Sequence, residues 1–406
     1  MADFGGDLDG FRAEARAWLE ANFPASLSRE APPADPEAVA KPTADQELWR
    51  KRMGEKGWGV PTWPTEYGGG GLTLAEARVL QAEMARIGAP NPIGGMGVGM
   101  FGPTLLEYGA DEQLRRHIPP IAKGELRWCQ GFSEPGAGSD LASLQTRAED
   151  MGDHFLVNGQ KIWTSGAHLA DWCFCLVRTD PKVKKHEGIS FLLIDMKSPG
   201  VEPRPIRLIN DTTPFCETFF TDVKVPKENL VGPLNGGWTI AKRLLQFERQ
   251  GIGSPARAGQ AGPGALGGPP IEVLAKGYVG VDAAGRLADA DLRRRLTHHL
   301  MDSKAHALTG ERIALEAKSN RGPSATSSIM KNAGTILRKE KAELAVEILG
   351  HQGVGWAGEA FKPDEINAMR VMLRSKSGTI AGGSQEVQNN IIAKRILGLP
   401  DTTHST

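Results

Sequence analysis

Apolar residues recur at helical spacing from the start of the chain. Leu8, Phe11, Ala15, Trp18 and Leu19 share one face before Pro24 ends the run, which predicts an amphipathic helix. The stretch from Pro24 to about Ala44 is rich in Pro and Ala and reads as a linker. Thr73-Leu74-Ala75-Glu76 is a capping box, opening a helix through Leu80, Met84 and Ile87 that Gly88 stops. Residues 1–125 therefore read as an all-helical domain.

From about Leu126 the period changes to that of strands. Phe155-Leu156-Val157 and Lys161-Ile162-Trp163 flank Asn158-Gly159, the strongest short-range hairpin signal. Further β-like runs follow at Trp172 to Val177, Ile189 to Ile194 and Phe219 to Val225, bounded by Pro, Gly or Asp at a spacing that suits antiparallel pairing better than βαβ units. Residues 126–235 read as a middle antiparallel β-barrel or sandwich. Beyond Pro233 the helical period returns in Trp238 to Arg249, then in Leu292, Leu296, Leu300, Ala307 and Ala314, then in Pro323 to Gly350 and Pro363 to Gly398. Residues 236–406 are expected to form a helical bundle of four or more helices. The fold class is α+β, ordered helical, β, helical. Gly251 to Pro270 holds seven Gly and four Pro in twenty residues, read as a flexible insertion, although small residues also let a helix approach a ligand closely.

A length of 406 residues is two to three times the usual domain size of about 150, which agrees with several modules. Lys+Arg and Asp+Glu are both 48, so no basic excess exists to neutralise nucleic-acid phosphates. The longest apolar runs, such as Ile189 to Met196, fall far short of the roughly 18–20 residues that span a bilayer, and the start of the chain lacks a signal-peptide pattern. A cytoplasmic location is expected. Cys129, Cys173, Cys175 and Cys216 contain no C-x-x-C pair, and Cys173 and Cys175 point to one face of a strand as core residues would, so neither structural zinc nor a disulfide framework is expected.

Two segments carry candidate chemistry. Phe132-Ser-Glu-Pro-Gly-Ala-Gly-Ser-Asp140 offers Gly136 and Gly138 for close backbone approach and the Ser133 and Ser139 hydroxyls for hydrogen bonds, though alone it suits an ordinary turn equally. Asn158-Gly-Gln-Lys-Ile-Trp-Thr-Ser165 places a flat indole beside two hydroxyls, and a lone Trp is usually core. Together, in this order and separation, the two segments resemble the FAD-binding signatures of the acyl-CoA dehydrogenase family. Ile380-Ala-Gly-Gly-Ser-Gln-Glu-Val-Gln388 with Ile391-Ile-Ala-Lys-Arg-Ile-Leu-Gly-Leu-Pro400 is similar to that family's closing helix, so the likeness covers nearly the whole chain.

The resemblance implies FAD held between the β domain and the C-terminal bundle. The implied activity is α,β-dehydrogenation of an acyl-CoA thioester to the trans-2-enoyl-CoA in lipid catabolism and β-oxidation, with flavin N5 accepting hydride and an electron-transfer flavoprotein receiving the electrons. Phe132, Ser133, Trp163, Thr164 and Ser165 would line the flavin, Ser384 and Glu386 would approach it from the C-terminal helix, and Ser139 would contact the CoA portion. The reaction needs a carboxylate to take the α-proton. Many members carry it in the C-terminal motif, where this sequence has Gly382; others place it in a Glu-Arg pair on the first C-terminal helix, matched here by Glu248-Arg249. Ala241, Leu244, Leu245 and Glu248 fall at i, i+3, i+4 and i+7, so the carboxylate lies on an apolar stripe, where burial would raise its pKa toward neutrality. The other reading of Glu248 is a buried salt bridge or a solvent-facing helix edge. Arg249 would hold the CoA thioester arm or stand as an ordinary surface Arg.

Two departures from the family pattern bear on assembly. No Arg-x-x-Phe-Gly segment occurs between Gly253 and Leu296, and the pyrophosphate element reads Glu347-Ile-Leu-Gly350-His351-Gln352-Gly353, with Glu and His in place of Gln and Gly. They resemble the branch acting on branched, cyclic or steroid-side-chain CoA thioesters, where unlike subunits also pair. A homodimer or homotetramer is expected, with a heterotetramer as a further arrangement. Two alternatives are an acyl-CoA oxidase-like enzyme that uses oxygen and a flavin-poor partner subunit of a heteromer. Gly97-Val-Gly99-Met-Phe-Gly102 fits G-x-G-x-x-G but follows no strand, so a Rossmann NAD site is not expected. The adjacent His298 and His299 diverge by about 100° on a helix and make no metal pair, and no metal is expected.

Overall fold

The computed structural model describes residues 7–27, 42–253, 270–316 and 326–400. Most of the expected linker between Pro24 and Ala44, most of the Gly/Pro-rich stretch after Gly251, and the Arg249 side chain lie outside the described residues. The chain divides into two compact units, one of residues 39–206 and 214–244 with the N-terminal helix, the other of residues 245–406 with 207–213.

The first unit begins with helices α1 (Leu8–Asn22), α2 (Ala44–Glu55), α3 (Leu74–Arg86), α4 (Gly102–Tyr108) and α5 (Asp111–Ala122). The capping box forms as expected: Thr73 Oγ1 accepts from the Glu76 amide at 3.2 Å while the Glu76 carboxylate accepts from the Thr73 amide at 2.8 Å. Gly88 takes φ 70° just past the end of α3. Glu83 of α3 is buried and ringed by Arg12, Arg16 and Arg86, whose hydrogen bonds, Arg16 foremost, hold its carboxyl down at about 2. Gly97–Phe101 is a widened helical turn running into α4, so the glycine pattern there belongs to no strand-turn-helix unit.

The sheet follows in the same unit as β1 (Trp128–Gly131), β2 (Arg147–Asp150), β3 (His154–Ser165), β4 (Trp172–Arg178), β5 (Ile189–Asp195), β6 (Val201–Ile206), β7 (Phe215–Pro226) and β8 (Leu230–Val231). Spatial order is β6-β7-β3-β2-β4-β5-β8, with β1 on β4. The strands expected at Trp172, Ile189 and Phe219 are present. Pairing is antiparallel except that β1 and β2 each run parallel to β4, so the domain is not antiparallel throughout. Its core gathers Phe155, Val157, Val177, Leu192, Ile194, Val223 and all four cysteines, Cys173 and Cys175 from β4, Cys216 from β7 and Cys129 from β1; none is disulfide-bonded.

The expected Asn158-Gly159 hairpin turn does not form. Both residues lie inside β3, where the register against β7 slips between Val157 and Gly159. Asn158 spends its amide on β7, donating to Asp222 Oδ1 at 3.0 Å and accepting from the Asp222 amide at 2.9 Å. Gly159, at φ 152°, passes so close to Thr146 that an added Cβ would lie 2.6 Å from its hydroxyl. The same tolerance of positive φ that suits Asn-Gly to a hairpin suits it to a bulge.

α5 packs its buried His117 edge-on against Trp128 and Trp172, with ring centroids at 5.2 and 4.9 Å. Its Nδ1 has no hydrogen-bond partner among the described residues. Desolvation, helped by the neighbouring Arg116 charge, lowers its pKa from 6.5 to about 4. An unfolded chain takes up this proton near 6.5, so the contribution of neutral His117 is complete above that pH and is lost as pH falls toward 4. Thermal midpoints measured from pH 7 to 4 should fall more steeply for the wild type than for His117→Gln; parallel curves would contradict the assignment.

α6 (Gly237–Gly253) opens the C-terminal helices, and the boundary between the units falls within it. The second unit continues with α7 (Ile271–Val279), α8 (Ala290–Glu316), α9 (Ser327–Leu349), α10 (Pro363–Ser375) and α11 (Gln385–Ile391). α9 is central, touching α7, α8, α10 and α11. Ile271, Ala275, Leu292, Leu296, Leu344 and Ile348 form the core of this unit, while Leu300 and Ile336 face outward despite their place in the apolar pattern. His299 is buried and bonded to Glu340 at 2.8 Å, and among the described residues no cluster suits a metal ion. No helix among them is long and apolar enough to cross a membrane.

Candidate functional site

In the first unit the two signature segments are joined by a buried ion pair. Lys161, on β3, is fully buried, and its ammonium donates to Glu134 Oε1 at 2.7 Å and to the Phe132 carbonyl at 3.2 Å. The Glu134 carboxylate also accepts from the amides of Gln145 at 2.6 Å and Thr146 at 2.8 Å. Burial pushes the Glu134 carboxyl up, but the Lys161 charge and these donors together hold it below its ordinary value. Backbone bonds in both directions between Glu134 and Ala137, each 3.0 Å, close the turn over Pro135 and Gly136, and the Ile162 amide donates to the Ser133 carbonyl at 2.9 Å. The sequence carries a signal for this pair: Phe155, Val157 and Lys161 share the inward parity of one strand, and a Lys at an inward position needs a partner.

What this brace presents is a polar, partly open surface. A second register slip lies between Lys161 and Thr164. Within it Trp163 takes φ 59° and is 53% exposed, its ring held edge-on by Phe215 at 6.0 Å. An indole left in solvent by a left-handed backbone is a costly arrangement for a folded chain alone. Thr164 is buried and its Oγ1 has no hydrogen-bond partner among the described residues, while Ser165 and Ser133 are half-buried. An added Cβ at Gly136, Gly138 or Gly166 would meet nothing within 4 Å, so space is left against the backbone. Phe132 is buried beneath, edge-on to Phe174 at 6.0 Å, and Ser139 is exposed beside Asp140, which is paired with Lys185 at 2.7 Å. An open flat ring, an unpaired hydroxyl and uncovered glycines are what a planar, hydrogen-bonding cofactor such as FAD requires, so these residues fit it.

On α6, Ile240, Ala241 and Leu244 are buried, while Leu245, Gln246, Phe247 and Glu248 are all half-buried, so exposure does not set Glu248 apart from its neighbours. Gly382 and Gly383 take φ 67° and 96°, a left-handed turn where a side chain would be strained, and position 382 carries no ionisable group. Ser384 caps α11, its hydroxyl accepting from the Val387 amide at 3.4 Å. Glu386 is exposed; hydrogen bonding to Ser384, then to its own backbone, holds its carboxyl below the ordinary value. Glu347, which stands where the family pattern has Gln, is clasped by Arg295 through two bonds of 2.6 and 2.7 Å.

Three family models match the chain: acyl-CoA dehydrogenase, N-terminal domain, over residues 9–125; middle domain, over 129–223; and C-terminal domain, over 272–397. The acyl-CoA dehydrogenase IpdE1 of Mycobacterium tuberculosis is 36% identical over 403 residues, covering 97% of this chain and 98% of the relative. Two solved structures bear the same likeness. One, titled Tcur3481-Tcur3483 steroid ACAD, has a TM-score of 0.75 at 30% identity and covers 97% of this chain and 98% of its own. The other, the ChsE4-ChsE5 complex of Mycobacterium tuberculosis, has a TM-score of 0.73 at 30% identity over 99% and 100%. The chain thus belongs to the acyl-CoA dehydrogenase family, FAD-dependent flavoproteins that oxidise the CH–CH bond of acyl-CoA thioesters.

Proposed function

We propose that this chain dehydrogenates the CoA thioester of a bulky, ring-bearing or branched acid, with the three modules 1–125, 126–235 and 236–406 dividing the work. Glu248 takes the α-proton onto a carboxylate oxygen as the Cα–Cβ double bond forms. FAD, when bound, supplies the acceptor for the β-hydride, and an electron-transfer flavoprotein then receives the two electrons. Trp163, Thr164, Ser165, Phe132 and Ser133 hold and orient the cofactor from the β domain, and Ser384 and Glu386 from the C-terminal turn. Ser139 and Arg249 engage the CoA arm. The substrate class rests on one observation: the likeness to a structure titled for a steroid acyl-CoA dehydrogenase extends over nearly the whole of both chains.

A second reading concerns assembly. The Glu347 carboxylate is already committed to Arg295, so position 347, where the family pattern has Gln, offers a neighbouring pyrophosphate no amide donor. That favours an unlike partner over a self-associated oligomer, as does the likeness to a two-component complex.

Anaerobic mixing of the purified, flavin-loaded protein with straight, branched, cyclic and steroid-side-chain CoA thioesters tests the substrate class. Flavin bleaching is expected at least about tenfold faster with a ring-bearing thioester, a gap of ~1.4 kcal/mol in barrier. Fastest bleaching by a straight chain would overturn the reading, and rapid peroxide formation in air would favour the oxidase alternative. A colourless chain that turns yellow only with an unlike subunit would support the second reading; full flavin in a homo-oligomer would end it.

A further inference from the structure

Part of α9 buries a polar stripe where the fold calls for an apolar one. Ser328, Lys331 and Thr335 fall at i, i+3 and i+7 on one face, and all three are at most 1% exposed. A cation removed from water costs several kcal/mol unless polar groups meet it, so a Lys at such a position needs a use. The Lys331 ammonium donates to the carbonyl of Gly383. From α11, the buried Gln388 side chain donates to the Gly382 carbonyl at 2.9 Å and reaches that of Gly383 at 3.5 Å. Side chains from two helices therefore meet at the Gly383 carbonyl, and Gln388 also holds that of Gly382, in a turn whose left-handed backbone glycine adopts without penalty.

That turn leads straight into Ser384 and Glu386. Any rotation of the Gly383 peptide would swing the Ser384 hydroxyl, which caps α11, and release Glu386 from its bond to that hydroxyl. Nearby capacity for hydrogen bonding exceeds what the chain itself satisfies: Ser327 Oγ, Ser328 Oγ and Gln388 Oε1 are buried without partners among the described residues. Such a face is built to hold something polar in a set orientation.

We propose that Lys331 is a positioning residue for the 382–386 turn, its ammonium fixing the Gly383 carbonyl and through it the aim of Ser384 and Glu386 at the flavin. The role rests on the reading of those two residues as cofactor-facing. Lys331→Met removes the donor at nearly constant length, and Lys331→Arg restores one. In the flavin-loaded protein, Lys331→Met should lower kcat at least about tenfold with little change in KM, because a misplaced group weakens the transition state more than the bound substrate. It should also shift the visible flavin spectrum and speed hydrogen exchange at the amides of 384–388, and Lys331→Arg should recover most of each.

Unchanged kcat, spectrum and exchange in Lys331→Met would overturn the role. So would a loss of thermal stability alone, with kcat per folded flavin site intact. If Lys331→Met does not fold, Gln388→Met withdraws the other side-chain donor from the turn's Gly382 and Gly383 carbonyls and is read the same way. A wild type that binds no FAD would instead sink the functional reading, while amide exchange at 384–388 still decides whether Lys331 holds the turn.

Discussion

Glu248→Gln should lose acyl-CoA oxidation by about 10²–10⁴ in kcat, the range a positioned general base contributes, while keeping its yellow colour and its affinity for the thioester. The replacement preserves shape and hydrogen-bonding reach but cannot accept the proton. Glu248 is a candidate for two linked reasons. It follows the buried Ala241 and Leu244 at helical spacing and is itself half-buried, within reach of both protein and solvent. Position 382 has no side chain and sits at φ 67°, so the C-terminal turn offers no carboxylate at that point. The two roles open to Glu248 separate cleanly. A structural salt bridge would show as a lower thermal midpoint and lower flavin content alongside any loss of rate. A base would show as lost flavin bleaching under anaerobic single turnover, with binding and melting unchanged. Full bleaching in Glu248→Gln would end the assignment.

Periodicity made the helices and most strands legible because their buried faces follow one rule, apolar residues at the element's own period. Leu8 to Leu19 obeys it, the Thr73 capping box marks a helix start and Trp172 to Val177 is a short apolar run buried on both faces, and each element formed where expected. It failed where a local signal has two solutions. Asn158-Gly159 satisfies a hairpin and a bulge equally, and the choice was made by Asp222, 64 residues away along the chain. Parallel pairing of β1 and β2 with β4 is likewise set by partners that no local window contains. The site divides in the same manner. Trp163, Thr164 and Ser165 were legible as a motif, but the buried lysines, Lys161 in the first unit and Lys331 in the second, were less so, because a Lys looks like a surface residue until its carbonyl or carboxylate partner is seen. Polar residues at buried parity are thus the places where a pattern of apolar residues says least.

Lys161→Met should destabilise the first unit by about 3–5 kcal/mol, the usual cost of removing one partner from a buried ion pair. For a unit of this size that lowers the thermal midpoint by roughly 6–20 °C. The Glu134 carboxylate would keep its amide donors, Gln145 and Thr146, but lose the cation that offsets its burial, so its pKa should rise. In the wild type the depressed carboxyl contributes fully above its ordinary value of 4.5 and is lost as pH falls through the lower folded value; in Lys161→Met the loss should begin at higher pH. Glu134→Gln strands the ammonium instead and should cost a similar amount. Because each single change leaves one buried charge unpaired, the double variant Lys161→Met/Glu134→Gln should be more stable than the sum of the two penalties implies. Flavin content should follow the brace, since the pair fixes the Phe132 carbonyl on one signature segment to β3 on the other. Denaturant melts of all four proteins, with flavin absorbance per chain, measure both effects; strictly additive losses, or single losses under about 1 kcal/mol, would mean the pair is not what joins the two segments.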